Sequence, residues 1–274
     1  MFFCNNQLLN EVEAIISPNQ RGLMLGDGVF ETCKISCGVV DDFESHLTRL
    51  EAALRAFKIS ADLSQVKNNS EILIKKNQIE NGLLRISISR GTGSLGYLPT
   101  YESAPLIIIQ TLPERKISAD KITLGISPYT TIPSSCYPSG FKTMSAMPNI
   151  LTKIFAAENN FFDAVMMNCD GFISSAAAAN IFWIKDKKIY TPATDCDIIR
   201  GTIRQKLLQQ KDFPIIEVQE NVEALKQAQE LFLTNSSFLL LPVDDLIIGD
   251  EKISFEKKIT LDLLSVVRFL VTSS

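Results

Sequence analysis

Polar and apolar residues alternate from 29 to 36 (Val-Phe-Glu-Thr-Cys-Lys-Ile-Ser), the period of a half-buried strand. Gly26 and Gly28 flank Asp27 ahead of it, and Gly38 with Asp41-Asp42 marks a turn after it. From Phe43 the period changes. Leu47, Leu50, Leu54 and Phe57 recur three and four apart, which predicts a helix capped by Asp42 or Ser45. A second helix fits 63–76 and a strand fits 83–89. A glycine-rich loop follows (Arg90-Gly-Thr-Gly-Ser-Leu-Gly-Tyr97), then a strongly apolar strand over 105–112. Residues 1–17 read as a short β start.

Residues 114–120 form a charged connector of low hydrophobicity, where a domain boundary is expected. Beyond it, strands are predicted over 121–127, 162–168, 172–185, 188–191, 215–218, 231–234, 239–243 and 246–253. Asp170-Gly171 signals a hairpin. Helices are predicted over 148–159, 201–210, 222–229 and 259–270, the first with proline suited to its opening turn. The pattern implies a small α/β domain (1–113), a linker (114–120) and a larger β-rich domain (121–274), with a cleft between domains as the default ligand site.

With 274 residues, 46% hydrophobic and 21% charged, the chain is globular and core-forming. A net charge of −4 gives no general attraction to nucleic acid or anionic lipid. Residues 122–141 carry no charge, but three prolines and two glycines exclude a membrane helix. Six cysteines without a CxxC pair, and a single histidine, give no zinc spacing. The first residues show no secretory signal, so free thiols and a cytoplasmic location are expected.

Lys142 stands among small residues just before a predicted helix and just after the uncharged stretch. Desolvation there would lower its pKa and make it usable as a base or Schiff-base nucleophile. A solvated lysine at a helix entrance is the plain alternative. His46, on a helix, is read as a structural histidine, not a triad member. The chain has no Gly-x-Ser-x-Gly elbow and no Gly-x-x-x-x-Gly-Lys-Ser/Thr loop, and its 90–96 segment lacks the dinucleotide order. Gly201-Thr202-Ile203-Arg204, opening a helix, and Thr234-Asn235-Ser236-Ser237, closing a strand, could each hold an anion or be an ordinary cap or turn. With Arg49 and a Schiff-base lysine they make the set that pyridoxal phosphate requires.

Five segments, in this order and spacing, resemble the class IV (fold type IV) pyridoxal-phosphate enzymes across nearly the whole chain. They are Arg21-Gly-Leu-Met-Leu-Gly-Asp-Gly-Val-Phe-Glu-Thr, Phe43-Glu-Ser-His-Leu-Thr-Arg49-Leu, Ile88-Ser-Arg-Gly-Thr-Gly, Lys142 through Pro148-Asn149-Ile-Leu, and Ala178-Ala-Asn180-Ile-Phe. Residues 88–97, 178–183 and 190–192 look most like the aminodeoxychorismate lyase branch. The resemblance implies a two-domain fold with a β-rich pseudo-barrel second domain, a homodimer, bound pyridoxal 5′-phosphate, and a small substrate with an amine and carboxylates. It implies that Lys142 holds the cofactor aldehyde and that Arg49 and the backbone of Gly201, Thr202 and Ile203 take the phosphate; Ser175 and Ser236 are also candidate cofactor-binding residues. Arg90 and Arg21 are the candidates for substrate carboxylates, and Glu31 and Tyr97 for the pocket wall. Two positions depart from the family. Ser175 stands where a glutamate meets the pyridine nitrogen, and Ser145 stands for an asparagine three residues after the lysine. A hydroxyl supports the electron sink less than a carboxylate, which favours elimination over transamination. A D- or branched-chain amino acid aminotransferase, or a non-catalytic relative with weakened cofactor binding, are the alternatives.

Overall fold

The computed structural model describes residues 1–272 apart from 94–95, 100–103, 115, 137 and 139. The expected glycine-rich loop at Ser94-Leu95 and linker residue 115 thus lie outside the described residues. The chain groups into two compact units, residues 1–116 with 141–145, and residues 117–140 with 146–274. The stretch around Lys142, expected with the second domain, therefore groups with the first.

The first unit contains β1 (Phe2–Cys4), β2 (Gln7–Leu9), α1 (Arg21–Leu25), β3 (Gly28–Ser36), β4 (Val39–Val40), α2 (Phe43–Ala56), α3 (Val66–Lys76), β5 (Gly82–Ser89) and β6 (Leu106–Pro113). Its sheet runs β2-β1-β6-β5-β3-β4, antiparallel throughout. Val29, Cys33 and Ile35 of β3 and Leu84, Ile86 and Ile88 of β5 meet Leu50, Leu54, Leu73 and Ile74 of the helices in one core. Strand alternation leaves Phe30, Thr32 and Lys34 on the other face. Asp42 precedes α2 in the left-handed region and accepts a bond from the Ser45 hydroxyl at 2.7 Å. The two expected capping residues thus bond one another.

The second unit contains β7 (Thr123–Ile126), α4 (Met147–Glu158), β8 (Asp163–Met167), β9 (Ile173–Ala176), β10 (Ala179–Lys185), β11 (Lys188–Pro192), α5 (Thr202–Leu208), β12 (Ile215–Val218), α6 (Glu223–Lys226), β13 (Glu230–Asn235), β14 (Leu239–Pro242), β15 (Asp245–Ile248), β16 (Glu251–Ser254) and α7 (Lys258–Thr272). Its mixed sheet runs β12-β11-β10-β9-β8-β7-β15-β16, with β13 and β14 branching from β10. Asn180 to Ile184 of β10 are all buried. Ile181 and Trp183 pack with Leu231 and Leu233. Phe182 and Ile184 pack with Phe232 and with Ile203, Leu207, Leu263 and Val267 of α5 and α7. Both faces of β10 are covered, which is why its sequence is continuously apolar instead of alternating.

Two expected strands are each a hairpin. Residues 172–185 break at Ala177-Ala178, where no glycine or proline announces a turn. Side chains from elsewhere hold it: Asp163 Oδ1 accepts the Ala177 N–H, Asn149 Nδ2 donates to the Ala177 carbonyl, and Asn235 Nδ2 donates to the Ala178 carbonyl. Residues 246–253 break at Gly249, whose φ of +59° suits glycine. No helix among the described residues is long and apolar enough to cross a membrane, and no His/Cys/Asp/Glu group among them could hold a metal ion.

Candidate active site

The lysine owes its place to a short neighbour. β4 pairs only with Ile35 and Ser36, so the first half of β3 has an open edge. Residues 142–144 fill it. The Phe30 N–H donates to the Lys142 carbonyl at 3.0 Å and the Met144 N–H donates to the Gly28 carbonyl at 2.9 Å. Gly28 permits the approach: a Cβ there would lie 2.6 Å from both Met144 Sδ and the Ile88 carbonyl oxygen. Antiparallel register puts Lys142 on the Phe30 face, with Nζ 4.9 Å from the ring centroid. Burial lowers the Lys142 pKa, Arg49 and Arg85 push it the same way, Glu31 opposes, and it settles at about 8.

Arg49 is held by a carboxylate fork. Its Nε donates to Glu31 Oε1 at 2.7 Å and its Nη2 to Oε2 at 2.8 Å, while His46 Nδ1 donates to the same Oε2 at 2.8 Å. Burial pushes the Glu31 carboxyl up, but the Arg49 charge and the bonds from His46 and Arg49 reverse this and bring it to about 2. Glu31 is 2% exposed. It is an internal partner of Arg49 and does not wall a pocket, because odd-numbered β3 residues face the helices. His46 is structural, as its helix position suggested.

Arg21 and Arg90 are also committed. Both donate from Nε to Asp27 Oδ2 at 2.8 Å. Arg21 continues to the carbonyls of Gly96 and Tyr97, and Arg90 to those of Lys58 and Phe57. They tie down the loop after β5 and the end of α2, which corrects their assignment as carboxylate ligands. The Tyr97 ring is exposed to solvent while its carbonyl serves this network.

The second unit gathers most of its predicted residues around β10. Register aligns Ser175, Asn180 and Thr234 across β9, β10 and β13, so the three share one face. The Asn180 Nδ2 donates to the Ile199 carbonyl at 2.8 Å just before α5. A Cβ on Gly201 would come 2.1 Å from Asn180 Oδ1, so only glycine fits there. Gly201 precedes Thr202 and Ile203, both buried, in the first turn of α5, where backbone N–H groups lack intrahelical acceptors. Thr234 Oγ1 is buried without a partner among the described residues. Ser236 lies in the turn after β13, whose Asn235 Oδ1 accepts the N–H groups of Ser237 and Phe238. Ser145 is exposed, its hydroxyl 3.3 Å from the Gly26 carbonyl. Arg85 was not singled out as a site residue, Asn180 was named only within a family motif, and Thr234 only within a strand-end segment that could hold an anion. Their significance lies in strand register, which the local pattern does not encode.

An amine held below the ordinary lysine range, on a unit of antiparallel sheet and helices, together with a second mixed sheet carrying a glycine-opened helix, defines an enzyme of fold type IV. The profile of the family amino-transferase class IV matches residues 28–246, and the chain belongs to that family. It is similar to an aminodeoxychorismate lyase of Vibrio harveyi, 27% identical over 86% of this chain and 89% of the relative. It is also similar to a D-alanine aminotransferase of Bacillus licheniformis, 25% identical over 87% of this chain and 86% of the relative. Among solved structures, the 4-amino-4-deoxychorismate lyase of Pseudomonas aeruginosa superposes with a TM-score of 0.85 at 22% identity, over 98% of both chains.

The family depends on pyridoxal phosphate, and this chain's residues fit that group. Lys142 offers an amine of lowered pKa for the aldehyde. Gly201 opens a helix where a side chain would collide, and Thr234 leaves a buried hydroxyl unpartnered among the described residues.

Proposed function

We propose that this protein is a pyridoxal-phosphate-dependent lyase that converts 4-amino-4-deoxychorismate to 4-aminobenzoate and pyruvate. The observation that carries the enzyme reading is the Lys142 amine, seated on the β3 edge with a pKa near 8. At neutral pH a useful fraction is uncharged and nucleophilic, against well under one in a thousand for an ordinary lysine. Lys142 would hold the cofactor through its aldehyde. Arg49, the backbone N–H groups at Gly201, Thr202 and Ile203, and Ser236 would serve the phosphate, and Ser175 would face the pyridine nitrogen. When bound, the cofactor supplies an electron sink for the carbon that loses its proton. Lys142 Nζ, once released, would take that proton from the carbon bearing the substrate amine. Cleavage of the ring carbon–oxygen bond would then expel the enolate of pyruvate, which takes up a proton to become pyruvate, and would leave the ring aromatic, which supplies much of the driving force.

Ser175 supports the lyase over a transaminase. A hydroxyl opposite the ring nitrogen stabilises its protonated form less than a carboxylate does, and elimination asks less of the sink because charge departs with the leaving group. The names of two curated relatives support the same reading. The test is to supply 4-amino-4-deoxychorismate to cofactor-loaded protein and assay 4-aminobenzoate and pyruvate. The visible absorption of the bound cofactor should vanish in Lys142→Ala. Loaded protein that forms no product above background removes the lyase reading. Similarity to D-alanine aminotransferases favours a second reading. It predicts that an amino acid alone converts the cofactor to its amine form, seen as loss of the visible band.

A further inference from the structure

The segment that carries the reactive amine is held on β3 by two backbone bonds, one on each side of Thr143. Two bonds fix a register weakly. A slip of one residue would turn Lys142 to the helix-covered face, and a slip of two would carry it past Phe30. Backbone pairing alone therefore does not explain why the amine sits where it does.

Register puts Met144 opposite Gly28, on the same face as Lys142 and Phe30. The β3 positions on that face are Gly28, Phe30, Thr32 and Lys34. Gly28 alone leaves room for a side chain laid across the strand. Met144 takes that room: a Cβ on Gly28 would lie 2.6 Å from its Sδ and 3.0 Å from its Cε. A second glycine forms the wall. A Cβ on Gly22 of α1 would come 3.3 Å from the same sulfur and 2.5 Å from Ser89 Cβ. That wall is fixed in place. Arg21 beside it donates its backbone N–H to the Gly91 carbonyl and its Nε to Asp27, and the Ser89 hydroxyl donates to Gln20 Oε1 at 3.0 Å. The arginines on Asp27 thus hold α1 against the end of β5, and the two glycines leave a notch that Met144 fills.

We propose that Met144 is a positioning residue: docked in the notch of Gly22 and Gly28, its side chain sets the register that seats Lys142 Nζ over Phe30. The proposal rests on Lys142 being the reactive amine and deepens that reading by naming what places it. Methionine suits the task, because its unbranched chain enters a narrow slot that a β-branched residue would not. Without it a segment held by two bonds is free to slip or lift. An amine that lifts from the sheet regains water and behaves as an ordinary lysine.

The test follows the Lys142 amine itself. The full chain, stripped of cofactor, is labelled with trace acetic anhydride from pH 6 to 11, and acetylation of Lys142 is read by mass spectrometry. Wild type should titrate at about 8. Met144→Ala should titrate higher, so that Lys142 labels roughly tenfold more slowly at pH 7 and captures pyridoxal phosphate more slowly. Met144→Leu, which keeps the volume without β-branching, should restore both. Met144→Val is read in the same way if Met144→Ala does not fold. Met166→Ala opens the core of the second unit instead and should lower the urea midpoint without moving the Lys142 titration. A folded Met144→Ala in which Lys142 titrates as in wild type overturns the proposal and leaves the enzyme reading intact. A Met166→Ala that raises the titration as much also overturns it, because the effect is then general loosening. A wild type whose Lys142 titrates as an ordinary lysine removes the reactive-amine reading and the proposal with it.

Discussion

Burial of the Lys142 amine costs the protein stability. Its pKa in the folded chain, about 8, lies below that of the unfolded chain. The folded state therefore binds fewer protons between about pH 8 and 10.5, and stability rises with pH through that window. Below it the full cost of burying the ammonium is present. Lys142→Met is expected to stabilise the cofactor-free protein by about 1–3 kcal/mol at pH 7, an advantage that fades above about pH 10. Urea midpoints at pH 7 and pH 10.5 check this. Glu31 has the opposite sign. Its carboxyl lies at about 2, below its unfolded value, so its contribution is complete above about pH 4.5 and is lost as pH falls toward 2. Glu31→Gln also leaves the Arg49 charge without its fork. It should cost on the order of 3 kcal/mol at pH 7, with the gap to wild type narrowing in acid denaturation curves below pH 4.

At the scale of elements, the β9–β10 hairpin shows how distant side chains make a turn that its own residues do not specify. Four consecutive alanines carry no turn chemistry, and the tight reversal at Ala177-Ala178 depends on Asp163, Asn149 and Asn235. Asp163 is the heaviest contributor. Its Oδ1 also accepts the Ala164 N–H, and Lys153 lies 3.4 Å from Oδ2. Asp163→Ala strands two buried N–H groups and is expected to destabilise by about 3 kcal/mol, whereas Asn149→Ala removes one bond and should cost about 1 kcal/mol. Chemical denaturation of both variants tests the order. Because Ser175 and Asn180 flank this turn, hydrogen exchange across 173–181 should rise in Asp163→Ala even where the rest of the sheet stays protected.

For the whole molecule, the exposed apolar side chains carry the expectation of assembly. Met147, Ile150 and Ile154 recur at three and four along α4 and are all exposed, as are Val12, Ile15 and Leu23 in the first unit. A homodimer would bury such positions. Sedimentation should return twice the 30.4 kDa chain mass. Ile150→Glu combined with Ile154→Glu should shift it toward monomer, while an unshifted dimer places the interface elsewhere.

What could be read from residues alone was whatever has a local cause. The alternation of β3, the helical spacing of α2 and the proline-opened α4 each follow from the period of side chains around a backbone. The candidacy of Lys142 and of the Gly201 helix start has a local cause, an amine beside small residues and glycine before a helix, whereas the role of Arg49 was named only through the family resemblance. Tertiary structure decided the rest, because partnership is set by register and by segments far apart in sequence. It bound Arg21 and Arg90 to Asp27, drew Glu31 onto Arg49, and split two apparent strands into hairpins. It also put Lys142 on the first unit's sheet through two backbone bonds. A side chain's type limits what it can hold, but only the pairing of strands determines which partner reaches it.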